Sequence, residues 1–162
     1  MPIFGLNNGM VPIISFNYGA KNKERMLKTI KLSVGYAIGI MALGLIIMQV
    51  IPDKLLMMFE ASDNMLRIGI PALRIISLAF IFAGYCIIIG SVFQALGRAW
   101  FSMIISIARQ LVVLVPVAWL LSKSGNVNLV WWCYPIAEII SVILTTIFFI
   151  KIHKETIKTL EG

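Results

Sequence analysis

Four stretches of this sequence run for more than twenty residues with at most one charge each, and nothing else about it limits the possible folds so severely. Residues 32–52 carry no charge over 21 positions, and residues 75–97 none over 23, with the apolar pattern reaching back to residue 68. Residues 99–121 contain only Arg109, and residues 127–150 only Glu138. At 1.5 Å per residue, about 20 helical residues cross a hydrocarbon core of roughly 30 Å. The runs are continuous and do not alternate polar with apolar, which predicts helices and not barrel strands. The expected fold class is therefore all-α: a polytopic transmembrane helix bundle with full spans at 32–52, 68–97, 99–121 and 127–150 and a tail at 151–162. Composition agrees, with 60% hydrophobic against 13% charged residues and a mean hydropathy of +0.95. A water-soluble enzyme of 162 residues has no means of hiding that much apolar surface. Disorder, a disulfide scaffold and a coiled coil are excluded by the same figures.

Residues 1–18 form a different kind of segment. They are uncharged but carry Gly5, Asn7, Asn8, Gly9, Pro12 and Asn17, with no basic start and no small-residue cleavage site of a signal peptide. Amides are unfavourable against lipid, so this segment is expected to pack on other helices, as a partial span whose beginning lies upstream. The stretch from Asn17 through Tyr18 and Gly19 is expected to end it, with Gly19 as the C-cap and an inner gate as its functional reading.

The net charge of +7 would suit a nucleic-acid binder only if the basic residues formed a groove or stripe. They do not. Alternate connections hold nine basic residues on one side (Lys21, Lys23, Arg25, Lys28, Lys31, Arg98, Lys151, Lys154 and Lys158) and three on the other, Lys54, Arg67 and Lys123. The positive-inside rule then predicts a multi-pass protein of the cell membrane with a cytoplasmic C-terminus. No nucleic-acid partner is expected; membrane lipid is, with contact to anionic headgroups. Between Asp53 and Arg67, the apolar Leu55, Leu56, Met58 and Phe59 predict a short interfacial helix starting at Pro52-Asp53.

Catalytic chemistry is not visible. Cys86 and Cys133 lie inside spans as small buried hydrophobes, and the single histidine, His153, sits in the basic tail. No metal site, phosphate-binding loop or paired nucleophile is expected. Ionisable residues at membrane depth are the functional candidates. Arg109 lies about 15 Å from one end of its span and Glu138 about 16 Å from the opposite end of the next, so both fall near the midplane. They are expected to face the bundle and to pair, directly or through Gln110. Glu138 has two readings: a protonation site for coupling, or half of a charge pair holding two helices together. The second is favoured because a paired arginine stabilises the charged carboxylate and opposes protonation.

Gln94, Tyr85, Phe82 and Asn8 are the candidates to line a cavity; Phe80 and Phe93 share the aromatic stretch and, like Phe82 and Tyr85, could stack on a flat cation or simply pack. Arg74 reads as an interfacial anchor, and Trp131, Trp132 and Tyr134 as an aromatic belt. Pro116 and Pro135 would kink their helices and are the candidate hinges, or static packing features.

Five stretches together resemble a known family. The run Gly5-Leu-Asn-Asn-Gly-Met-Val-Pro-Ile-Ile-Ser-Phe-Asn-Tyr-Gly-Ala-Lys-Asn22 is similar to the end of the eighth helix of MATE (multidrug and toxic compound extrusion) transporters. In the same order, Ala72-Leu-Arg-Ile75 and Gly90-Ser-Val-Phe-Gln-Ala-Leu-Gly-Arg98 resemble the head and tail of the tenth helix. Arg109-Gln110 with Pro116 resembles the eleventh, and Pro135-Ile-Ala-Glu138 the start of the twelfth. The resemblance implies twelve helices in two lobes with cytoplasmic termini, of which this chain supplies helices eight to twelve. The N-terminal lobe is then an expected partner, together with a small-molecule substrate. It further implies secondary-active export of organic, often cationic, compounds in exchange for H+ or Na+, with no other cofactor. Some branches carry an acidic residue in the tenth helix for cation coupling; Phe80-Ile-Phe-Ala-Gly-Tyr-Cys86 has none. The rival readings are a non-transporting truncated product or assembly subunit, and a flippase for lipid-linked oligosaccharide or polysaccharide.

Overall fold

The computed structural model describes residues 2–157, which are helical throughout apart from short connections, with no strand among the described residues. The chain forms α1 (Pro2–Gly19), α2 (Lys23–Val50), α3 (Pro52–Met57), α4 (Asp63–Ser77), α5 (Phe80–Ala95) and α6 (Ala99–Ile107). A π-helical stretch, Ala108–Leu114, leads into α7 (Val115–Ser122), and α8 (Val127–Val130) precedes α9 (Cys133–Ile152), which continues as a π-helical turn, His153–Ile157. The expected tail at 151–162 is thus helical as far as residue 157, because Ile152 and Ile157 are fully buried and hold it to the bundle; the rest of it lies outside the described residues. Among the described residues, three helices are long and apolar enough to cross a membrane: Lys23–Val50, Ala99–Ser122 and Val127–Ile157. The pair α4–α5 makes a fourth if its bend of 50° is counted within one span.

The α1–α2 turn is shorter than the sequence suggests. Gly19 is the last helical residue, and the left-handed position falls on Lys21, with φ of 55°. The Asn22 amide donates to the Asn17 carbonyl at 2.8 Å and the Lys21 amide to Tyr18 at 3.1 Å, the two bonds of a Schellman cap. Gly19 is therefore not the capping glycine. Asn22 serves the next helix at once, its side chain accepting from the Arg25 amide at 3.1 Å. The basic residues Lys23, Arg25, Lys28 and Lys31 consequently ride on the first turns of α2 and do not form a loop.

The bend between α4 and α5 comes from a neighbour. No proline or glycine sits at residues 78–79. Instead, Gln49 of α2 donates from Nε2 to the Arg74 carbonyl at 2.8 Å and to Ser77 Oγ at 3.1 Å, while Ser77 Oγ donates to the same carbonyl at 2.9 Å. That carbonyl would ordinarily accept from the Leu78 amide, which turns to Ile75 instead, at 3.2 Å. Polar groups inserted into the ladder of helical bonds are a recognised cause of sharp bends.

The core is centred on α5, which carries eight buried residues and is packed by α1, α2, α6 and α9. Gly84 lets α2 come close, since a Cβ there would lie 3.0 Å from Met41 Cγ and 3.4 Å from the Ala37 carbonyl. Ile14, Met26, Ile88, Val92, Phe93, Ile152 and Ile157 form one cluster with Phe101, and Phe101 stacks at 5.0 Å from Phe148. This cluster lies at the end of the bundle that bears Arg98 and the start of α2. At the opposite end α7 buries no residue, and Leu43, Ile46, Ile47 and Val50 of α2 are exposed. α3 starts at Pro52 as expected, but Met57, Met58 and Phe59 all face outward.

Candidate functional site

A cleft of about 520 Å³ opens between α1, α5 and the α6 helix with its π-helical continuation. α5 forms the floor with Cys86, Ile87, Gly90, Ser91 and Gln94. Phe4, Asn7, Asn8, Val11 and Pro12 form one wall, and Ser102, Ile105, Ser106 and Arg109 the other. α1 and α5 run in the same direction and are tied beyond the cleft, where Ser15 Oγ donates to the Ala95 carbonyl at 3.0 Å. α6 runs against them. Following the helices, Gln94 and Ser102 mark the end nearest the basic residues, and Phe4, Cys86 and Arg109 the end deepest in the bundle. The floor is shallow at Gly90, where a Cβ would stand 3.2 Å from Ser102 Oγ.

Pro12 on the first wall withholds the N–H that would close on the Asn8 carbonyl, so α1 is locally under-bonded beside the cleft. The Asn7 side-chain Oδ1 is buried without a hydrogen-bond partner. On the floor, Gln94 Nε2 donates to Ser102 Oγ at 3.3 Å, so this residue both lines the cleft and links two helices. Asn8 lines the cleft as well.

Tyr85 and Phe82 do not. The Tyr85 hydroxyl shares a hydrogen bond with Thr146 Oγ1 of α9 at 3.2 Å, and Phe82 is on the outer, exposed face of α5. Phe93 is buried in the core, 6.0 Å from the Phe101 ring, and Phe80 packs over Gly44. None of these aromatic rings is therefore on a face open to a flat cation in the cleft. Helical phase decides this, since one helix cannot present positions 80, 82, 85 and 93 to the same neighbour.

At the deep end Arg109 Nη1 donates to Glu138 Oε1 at 2.8 Å. The two side chains retain 31% and 12% of their exposure, and Glu138 Oε2 is buried with no hydrogen-bond partner. The contact is direct; Gln110 is not needed to bridge it. Arg109 borders the cleft and Glu138 does not, so the cleft meets the positive end of the pair. Arg109 lies in the π-helical stretch, where the Val115 amide reaches back to the Gln110 carbonyl. Pro116 begins the next helix at its first turn and cannot donate to the Val112 carbonyl, and the widened turn upstream absorbs that missing bond.

The other expected hinge is placed differently. Pro135 sits in the first turn of α9 and cannot donate to the Trp131 carbonyl, which takes the Tyr134 amide at 3.3 Å instead, so within the span Val127–Ile157 the helix is interrupted one turn ahead of the proline. The break in that region precedes it, at residues 131–132. Asn17 is buried and donates from Nδ2 to the Ile13 carbonyl at 2.7 Å, while Tyr18 packs against the core; with Gly19 they terminate a helix and do not border the cleft. Arg74 is exposed, as are Trp132 and Tyr134. Cys86 and Cys133 are free and buried, and among the described residues no three His, Cys, Asp or Glu side chains gather to hold a metal.

Residues not named from the sequence as cavity candidates complete the site: Asn7, Ser91, Ser102 and Ser106. The signal for two of them is present there. Ser102, Ser106 and Arg109 fall at i, i+4 and i+7, a polar stripe on an otherwise apolar helix.

The MatE family model matches residues 1–120. Multidrug export protein MepA of Staphylococcus haemolyticus is 27% identical over 142 residues, covering 88% of this chain and 31% of its own length. Among solved structures, the MATE multidrug transporter DinF-BH in complex with the dye rhodamine 6G is 29% identical, with a TM-score of 0.86 over 97% of this chain and 35% of that one. The Vibrio cholerae MATE transporter VcmN in its bent form shares the fold, with a TM-score of 0.85 at 18% identity over 98% of this chain and 35% of that one. The chain thus spans about a third of the length of the relatives it matches.

Proposed function

The chain belongs to the MatE family, and from that membership we propose that it forms one part of a multi-pass efflux transporter that exports small organic compounds in exchange for H+ or Na+. The family is one of integral-membrane transporters and not of enzymes. The reading is carried by one observation: a cleft with polar side chains on all three helices, in a bundle that exposes many large apolar side chains along its other helical faces. Hydrogen-bonding groups at that depth are costly unless they meet a ligand, a partner helix or water. In this reading the rest of the transporter, an N-terminal lobe, faces the cleft and closes it into a substrate path. Nine of the fourteen basic residues face the cytoplasm together with the C-terminus.

The test is export of rhodamine 6G, the compound bound by the DinF-BH relative, from cells or vesicles containing this chain together with a polypeptide that supplies the remaining lobe. Export driven by an imposed H+ or Na+ gradient and abolished by an uncoupler is the expected result. Gradient-independent movement of lipid-linked sugars without dye export would overturn it in favour of a flippase. Membrane insertion with neither activity would leave an assembly subunit. Glu138→Gln then assigns the charge pair: export retained with reduced protein yield makes the pair a structural tie, whereas lost export at normal yield makes Glu138 the coupling carboxylate.

A further inference from the structure

We propose that the cleft takes the carboxylate end of an amphiphilic substrate, an anion or zwitterion, and discriminates against the same molecule with that group esterified. The proposal rests on the reading of the cleft as part of a substrate path and names what that path prefers. Its basis is the asymmetry of the deep charge pair. A guanidinium carries five N–H donors in a planar fork, and a single Arg109 nitrogen, Nη1, meets Glu138 at 2.8 Å. Arg109 borders the cleft, and no Asp or Glu does. A ligand at this end therefore meets the guanidinium side of the pair, while Glu138, on α9 and 12% exposed, lies outside the cleft lining.

The remaining polar groups carry no charge, and one acceptor among them, the buried Asn7 Oδ1, stands without a hydrogen-bond partner among the described residues. Gln94 already spends its NH2 on Ser102, and Ser91 donates to its own helix at the Ile87 carbonyl, 3.0 Å away. They add no negative charge, and nothing in this cleft offers a permanent cation an ion pair. An aromatic cage for such a cation is missing too, because Phe82, Tyr85 and Phe93 are all directed elsewhere and Phe4 is the single ring at the cleft. Apolar surface from Val11, Ile87 and Ile105 lies between the two polar ends of the cleft, which suits a flat or extended apolar body with its charged group at Arg109. A charge-assisted, two-pronged contact between guanidinium and carboxylate is among the strongest hydrogen-bonded pairings available.

Binding of a matched pair of dyes to the 162-residue chain in nanodiscs of uncharged lipid tests this: rhodamine 6G, whose carboxyl is an ethyl ester, and its hydrolysed free acid, followed by fluorescence polarisation. The free acid should bind about tenfold more tightly, a difference of about 1.4 kcal/mol. Arg109→Lys, which keeps the charge but not the planar fork, should narrow the preference without abolishing it. The double variant Arg109→Gln/Glu138→Gln, which leaves no unpaired buried charge, should bind both dyes equally. Equal binding of the two dyes by the unaltered chain, tighter binding of the ester, or a preference that survives in the double variant overturns the proposal. Absence of binding by either dye overturns it as well, since the cleft then takes no such ligand. A clear preference for the free acid without gradient-driven export from the assembled transporter sustains this inference and defeats the transport reading instead.

Discussion

Two of the departures from regular α geometry in this bundle have opposite causes. The bend between α4 and α5 is imposed from outside, by Gln49 of another helix taking the Arg74 carbonyl out of the ladder. The widened turn at Ala108–Leu114 is written locally, two residues ahead of a proline that has no N–H to give. The first is held by tertiary contact from Gln49, joined by Ser77 of the same helix on the same carbonyl. The second is visible in the sequence, and it places Arg109 against Glu138 beside the cleft. A local irregularity is thus paired with the polar site, while the imposed one shapes the scaffold around it.

The largest effect should come from the tie at the widened turn. Arg109→Ala leaves Glu138 buried and unpaired and should cost about 3–5 kcal/mol in denaturant unfolding. Adding Glu138→Gln should recover most of that loss; no recovery would mean that Arg109 acts mainly by packing. Next, Pro116→Ala returns the missing donor. If the proline causes the wide turn, residues 108–114 should revert to α-helical bonding in a structure of the variant, with a gain of up to about 3 kcal/mol. A π-helical stretch that persists would show that the charge pair sets the geometry, and the contrast with α4–α5 would collapse.

Gln49→Leu attacks the imposed bend. The Arg74 carbonyl should return to the Leu78 amide, with a net change of about 1 kcal/mol. The distance between spin labels at Met65 and Gln94 should lengthen by about 4 Å as the pair straightens, from helix lengths at 1.5 Å per residue. An unchanged distance would mean that packing against α2 and α9, and not the glutamine, holds the bend.

The smallest effects repeat the contrast at two helix ends. Gly97, with φ of 73°, and Lys21, with φ of 55°, both cap helices in the left-handed region. Gly97→Ala should destabilise by about 1 kcal/mol, and Lys21→Gly should stabilise by up to about 1 kcal/mol, both measured by thermal unfolding. Equal and negligible effects would show that neither cap is strained.

What can be read in advance follows the same division. The long uncharged runs, the charge pair at matching depth and the effect of Pro116 are all stated by a residue and its near neighbours. Gln94 and Asn8 are legible as polar candidates to line a cavity, and both border the cleft. The errors come where a distant partner decides. Gly19 looks like the cap because glycine tolerates positive φ, yet α1 continues until the Asn22 amide can reach Asn17, which puts Lys21 there. Tyr85 and Phe82 cannot be assigned from spacing, since the phase of α5 against α9 is set by contacts such as Tyr85 with Thr146.

The Arg109–Glu138 contact also bears on how the chain is made. The two residues are 29 positions apart, on helices joined by a short connection, and each entering a bilayer alone would oppose insertion by roughly 2.5–3.5 kcal/mol. Synthesis delivers the arginine first, so the helix that carries it gains its counter-charge only when α9 emerges. The two helices should therefore leave the translocon together, as a hairpin. A nascent chain halted before Glu138 should integrate poorly, and the same chain with Arg109→Leu should integrate without waiting.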